Sequence, residues 1–256
     1  MVHFVGAGCG AEDLITVRGE RLVREADVLI YAGSLVNPAL LGLAGENCRI
    51  FNSARMTLEE VLEQITEAEG RGLTTVRLHT GDTSLYSAIR EQEDALKAKG
   101  ICYDITPGVS SFCGAAAALE AEYTLPGVSQ SVIITRMAGR TPVPARESIA
   151  SLAAHGSTMV IFLSAGMLKD LQAELLKGAY TPTTPAAIVY KASWPEEKVL
   201  RCRLGDLRET GERAGIIQTA LVLVGGFLDT EYERSRLYDP SFETGWRKAQ
   251  GHEKEN

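Results

Sequence analysis

Short apolar runs alternate with segments of helical periodicity from the first residue onward, and this alternation confines the chain to an α/β fold. In the first half the runs are Val2–Val5, Val28–Tyr31, Arg49–Phe51, Thr75–His79 and Ile101–Ile105. Between them, Asp13 to Ala26 carries Leu14, Val17, Leu22 and Val23 at helical spacing, and Pro38–Leu43 reads as a short helix. Thr57-Leu-Glu-Glu60 is a capping box and opens a helix that stops at Gly70 or Gly72. Leu85–Lys99 reads as a helix ended by Gly100, and an alanine-rich helix covers Cys113–Ala121.

Glu122–Gln130, with Pro126-Gly127, interrupts the pattern, so the expected domains are 1–121 and 122–246, followed by a polar tail at 247–256. The second half offers strands at Val132–Thr135, Met159–Leu163, Ala186–Tyr190, Lys198–Arg203 and Ala220–Val224. Helical patterns fall at Glu147–Ala154, Met167–Lys177 and around Asp206–Glu212. No helix separates Ala186–Tyr190 from Lys198–Arg203, which predicts antiparallel pairing and a mixed second sheet.

Composition narrows the function. The 256 residues include 33 acidic and 26 basic side chains, a formal net charge of -7, which argues against a general nucleic-acid binder. An acidic ligand remains compatible, because a cleft can be locally basic on an acidic protein. No apolar run reaches the roughly 18 residues needed to span a bilayer, and the start has no signal-peptide pattern, so the expected location is the cytoplasm. Cys9, Cys48, Cys102, Cys113 and Cys202 are widely spaced thiols without a Cys-x-x-Cys, and no histidine pair has metal-ligand spacing, so no protein-bound metal is expected.

Three loops follow predicted strands: Gly6-x-Gly8-x-Gly10, Thr80-Gly-Asp82 and Pro107-Gly-Val-Ser-Ser111. Loops at the carboxyl ends of strands in an open α/β sheet border its ligand crevice. The first loop superficially matches a dinucleotide fingerprint, but the second strand runs out in Tyr31-Ala32-Gly33 without the acid that would hold a ribose, which weakens an oxidoreductase reading.

Taken together, Val5-Gly-Ala-Gly-Cys-Gly10, Ala26-Asp-Val-Leu-Ile-Tyr31, Val76-Arg-Leu-His-Thr-Gly-Asp82 with Tyr86-Ser87, and Pro107-Gly-Val-Ser-Ser111 resemble the tetrapyrrole (corrin/porphyrin) methyltransferases over about residues 2–247. Three further segments look like the branch that methylates carbon 11 of precorrin-4 or its cobalt counterpart in cobalamin biosynthesis. They are Thr135–Pro144, Val189–Lys198 and Ser235-Arg-Leu-Tyr-Asp239. The resemblance implies two α/β domains, a mostly parallel N-terminal sheet and a mixed C-terminal one, a homodimer, and S-adenosylmethionine (SAM) held in a trough between the domains. By position, its implied cofactor contacts are Cys9, Thr80, Gly81, Asp82, Leu85, Ser110, Ser111, Leu163, Ala192, Thr219 and Ala220.

The chain departs from family members acting on uroporphyrinogen. Ala32 stands where they often carry aspartate, their lysine after the third strand is missing near Ser53-Ala54-Arg55, and Thr83 and Cys9 replace common prolines. A precorrin carries many carboxylates, for which Arg55, Arg136, Arg140 and Lys191 are the candidate partners, with Tyr86 as a flat wall for the macrocycle. No catalytic base is identified, and none is required if positioning carries the reaction. Methylation of another ring carbon and a non-catalytic corrinoid-binding protein stand as alternatives. His79 ends a buried-looking strand and reads as structural or as a substrate-side donor.

Overall fold

A computed structural model describes residues 1–229 and 231–249; the expected polar tail beyond 249 lies outside the described residues. The first sheet comprises β1 (Val2–Gly6), β2 (Val28–Tyr31), β3 (Arg49–Asn52), β4 (Thr75–His79) and β5 (Tyr103–Thr106) in the order β3-β2-β4-β1-β5. Every pairing in it is parallel. Parallel strands covered on both faces need apolar side chains on both, which explains their continuous runs. Val5, Leu29, Val76 and Leu78 pack on one face, and Val2, Phe4, Val28 and Ile30 on the other.

The second sheet contains β6 (Val132–Arg136), β7 (Thr158–Phe162), β8 (Pro185–Tyr190), β9 (Lys198–Arg203) and β10 (Ala220–Val224), ordered β6-β7-β10-β8-β9. Only β6 and β7 run parallel; β8 and β9 are antiparallel, as the missing crossover helix required.

The helices of the first half are α1 (Val17–Arg24), α2 (Leu58–Gly70), α3 (Ile89–Ala98) and α4 (Ser111–Ala118). The second half adds α5 (Ile149–Ala153), α6 (Leu168–Leu175) and α7 (Leu207–Arg213). The capping box of α2 forms as expected, with both Thr57 and Glu60 accepting the other's backbone amide. Two helices start four residues later than periodicity indicated. Thr16 accepts the Gly19 amide at 3.1 Å and caps α1, so the segment before it becomes a separate 3-10 turn at Glu12–Leu14. That cap shifts the helical phase: Val17 is 86% exposed, while Gly19, Leu22 and Val23 face the core. Ahead of α3, Tyr86 and Ala88 take left-handed φ angles of 55° and 49°, which break the helix expected from Leu85.

The winding of the first sheet switches between the neighbouring strands β1 and β4. From β1 the chain passes β4 to reach β2, and from β4 it passes β1 to reach β5. The loops after the two strands therefore come together at the carboxyl edge, where an open α/β sheet places its ligand crevice. The loops are bonded to one another backbone to backbone. Gly8 and Gly81 exchange amide–carbonyl hydrogen bonds of 3.2 and 2.9 Å, and the Gly108 amide donates to Asp82 Oδ2 at 2.8 Å. Only glycine permits this approach, since a Cβ at Gly108 would stand 2.2 Å from the Gly81 carbonyl oxygen.

Central strand β4 buries two cationic side-chain types on one face. Arg77 donates to Gln92 Oε1 and to the Ile30 carbonyl, each at 2.8 Å, and burial lowers its pKa to about 10. Burial, reinforced by the charge of Arg77, pushes His79 down to about 3 from its ordinary 6.5. His79 is therefore neutral in the folded protein at pH values where the unfolded chain protonates it. Stability is lost as pH falls below 6.5, by roughly 2–3 kcal/mol at about pH 4.5 from this residue alone. Urea denaturation at about pH 7.5 and 4.5 should show the wild type losing that much more stability on acidification than His79→Gln; parallel losses would contradict a histidine held neutral.

Candidate functional site

The crevice opens into a cleft of about 390 Å³ walled by both halves of the chain. The first half contributes the loop after β1, the Thr80–Ser87 region and the N-terminus of α4; the second contributes the ends of β7 and β8 and the start of β10. All the residues expected to contact a cofactor line it: Cys9, Thr80, Gly81, Asp82, Leu85, Ser110, Ser111, Leu163, Ala192, Thr219 and Ala220. Of the residues expected at the substrate, Tyr86 and Lys191 line the cleft, whereas Arg55, Arg136 and Arg140 fall outside its lining.

Asp82 builds the site rather than standing free in it. Oδ1 accepts the Ser84 amide at 2.9 Å and the Ser84 hydroxyl, and Oδ2 accepts from Gly108. Burial pushes this carboxyl up, but the hydrogen bonds from Ser84 and Gly108 outweigh it and hold the group below its ordinary value. Asp82 thus remains ionised with its oxygens engaged.

The second half meets the glycine loop through the β8–β9 turn. Ser193 Oγ accepts the Ala11 amide at 3.0 Å and lies 3.3 Å from Cys9 Sγ. Trp194 packs flush on the loop: a Cβ at Gly10 would sit 2.2 Å from its ring. Lys191 Nζ lies 4.9 Å from the Trp194 ring centroid and pairs with Glu196 at 3.1 Å.

Backbone strain gathers around the cleft. Tyr86, Leu163, Lys191 and Thr219 all line it with φ between 47° and 55°, and Ser193 beside it has φ 64°. Such conformations cost of order 1 kcal/mol or more each in residues other than glycine and persist where surrounding structure imposes them. Lys191 and Thr219 are joined by a 2.9 Å hydrogen bond from the Lys191 amide to the Thr219 carbonyl. Sequence reasoning missed Ser193 as a contact and missed this strain, because no glycine or asparagine marks these positions.

Arg136, expected at a substrate carboxylate, is engaged with the backbone in this structure. Its guanidinium donates to the carbonyls of Met137, Thr141 and Pro142 at 3.3, 3.2 and 2.8 Å, fixing the loop after β6. Arg55 and Arg140 are exposed. Tyr86 stacks obliquely on Phe162, with ring centroids 5.3 Å apart.

The walls suit a ligand bound mainly through backbone groups, with apolar patches from Leu85, Phe162, Leu163 and Val189. Two buried side-chain atoms in the same lining, His79 Nε2 and Thr80 Oγ1, have no hydrogen-bond partner. Among the described residues no group of three or more His, Cys, Asp or Glu side chains is arranged to hold a metal ion.

Comparison with known proteins agrees with this architecture. The profile of the Tetrapyrrole (Corrin/Porphyrin) Methylases matches residues 1–208. The cobalt-precorrin-4 C(11)-methyltransferase of Methanocaldococcus jannaschii is 50% identical over 249 residues, 97% of this chain and 96% of its own length. The precorrin-4 C(11)-methyltransferase of Sinorhizobium sp is 44% identical over 248 residues, covering 96% of this chain and 98% of that protein. The X-ray structure of a cobalt precorrin-4 methyltransferase, a cobalamin biosynthetic enzyme, superposes with a TM-score of 0.87 at 41% identity, covering 90% of this chain and 96% of that one. A parallel sheet whose winding switches at β1 and β4, a mixed second sheet, the matching family profile and these near full-length relatives lead to one conclusion: the chain belongs to the tetrapyrrole (corrin/porphyrin) methylase family.

Proposed function

We propose that this protein is a SAM-dependent C-methyltransferase acting on carbon 11 of precorrin-4 or cobalt-precorrin-4 in cobalamin biosynthesis. The reading is carried by the cleft at the sheet reversal, in a chain that matches carbon-11 methyltransferases almost end to end. The cofactor's cradle would be the loops of Cys9, Thr80–Asp82 with Leu85, and Ser110–Ser111, closed by Leu163, Ala192, Thr219 and Ala220. When bound, SAM supplies an activated methyl group for displacement by a ring carbon.

The protein's own contribution is positioning. Holding two reactants in a near-attack arrangement can supply on the order of 7–11 kcal/mol of the barrier. The interlocked loops are suited to that role because their mutual hydrogen bonds leave little freedom. Tyr86, Phe162, Leu163 and Ile217 offer the macrocycle an apolar wall that displaces water, and Ile217 is 73% exposed in this open cleft. Lys191 is the cation inside the lining and would meet a substrate carboxylate. Arg136 would act through the loop it holds, and Arg55 and Arg140 from the surface. Asp82 is a poor base, since the hydrogen bonds from Ser84 and Gly108 hold its pKa below the ordinary carboxylate value.

The assembly we favour is a cytoplasmic homodimer. Tyr232, Leu237, Tyr238 and Trp246 lie 62–100% exposed near the end of the described chain, an apolar surface of the kind subunits cover. Light scattering should report a dimer, weakened when Tyr238 and Trp246 are both changed to serine; a wild-type monomer would refute this assembly.

The decisive reaction test is anaerobic transfer of labelled methyl from SAM to precorrin-4, with and without cobalt, with the labelled carbon located by NMR. Label at carbon 11 is expected; label elsewhere overturns the regiochemistry. Asp82→Ala removes the acceptor for Gly108 and should weaken SAM binding about tenfold by calorimetry, the effect of losing a charge-assisted hydrogen bond. Unchanged affinity would detach this loop from the cofactor.

A further inference from the structure

We propose that His79 and Thr80 form a carboxylate-binding subsite in the wall of the cleft, a role that rests on the methyltransferase reading above. The two residues are adjacent at the end of β4 and both line the cleft. His79 is 2% exposed, and its Nε2 and the Thr80 Oγ1 are each buried without a hydrogen-bond partner. Leaving such a group unpaired is costly, so two of them side by side in a ligand cleft mark a place where a ligand's polar atoms belong.

The surroundings select the chemistry. Burial and the charge of Arg77 keep His79 neutral, so its ring offers an N–H rather than a positive charge, and Thr80 offers an O–H. Behind them, Arg77 is 3% exposed and donates only to neutral acceptors, Gln92 and the Ile30 carbonyl; among the described residues it makes no salt bridge. The one carboxylate of the same loop, Asp82, is already taken up by Gly108 and Ser84. Two neutral hydrogen-bonding groups backed by an uncompensated guanidinium favour an anionic acceptor, met by the Nε2–H tautomer of His79, and disfavour an ammonium group.

Both proposed ligands carry such a group: the amino-acid end of SAM, and the acetate and propionate arms of the macrocycle. Calorimetry with SAM and with decarboxylated SAM, and absorbance titration with the tetrapyrrole, would be run on wild type, His79→Gln, His79→Phe and Thr80→Val. His79→Phe and Thr80→Val should each weaken one ligand about tenfold, with His79→Gln, which keeps an N–H donor, close to wild type. If the cofactor's carboxylate occupies the subsite, SAM affinity falls and the preference over the decarboxylated form disappears. If a macrocycle arm occupies it, SAM affinity holds and tetrapyrrole affinity falls. Should His79→Phe fail to fold, Thr80→Val decides alone. Unchanged binding of both ligands in the folded variants would mean that water alone satisfies the two atoms, and the subsite falls. Wild type binding neither ligand would instead overturn the methyltransferase reading itself.

Discussion

The hydrogen bond from the Gly108 amide to the Asp82 carboxylate, beside the reciprocal Gly8–Gly81 pair, fixes three loops into one surface. Sheet topology alone would only bring the ends of β1, β4 and β5 near each other. Converting nearness into a rigid wall requires backbones in direct contact, and therefore glycines at the meeting points. The same contacts hold Asp82 ionised and make it part of the wall.

The second half of the molecule is attached to this wall through α4, where Ala115 and the following Leu119 share an apolar core with Val160, Ala187, Val189 and Leu223, and through contacts at the β8–β9 turn. Ser193 and Trp194 reach the glycine loop, and the left-handed residues Leu163, Lys191 and Thr219 turn the strand ends toward the cleft. Strain of this kind is offset elsewhere, here by the wholly buried core of β7, β8 and β10. The cleft's shape is therefore a property of both sheets together, since residues of both line it.

The electrostatic character of the cleft follows from the same economy. Although the chain carries a net charge of -7, the cleft lining contains one anionic and one cationic side chain: Asp82, taken up by Gly108 and Ser84, and Lys191, which pairs with the exposed Glu196. Binding then draws on oriented dipoles and apolar walls as well as on Lys191 and the two unpartnered groups at the end of β4. Methyl transfer suits such a site, because it needs alignment and exclusion of water more than proton traffic.

Much of this was legible in the sequence. Strand positions, the Thr57–Glu60 capping box, the antiparallel β8–β9 pair and the three loops all announce themselves through periodicity and local hydrogen-bonding chemistry, which involve neighbours along the chain. The phase of α1 was misread because a single side chain, Thr16, restarts the helix, and periodicity averages over such an event. Other features were decided only by the tertiary structure: left-handed backbone at Tyr86, Leu163, Lys191 and Thr219, the enclosure of Arg136 by three carbonyls, and the lack of partners for His79 and Thr80. Each depends on groups brought together from distant segments or on what those segments leave uncovered. Local sequence encodes which elements form, and the packing of those elements decides which atoms are left to meet a ligand.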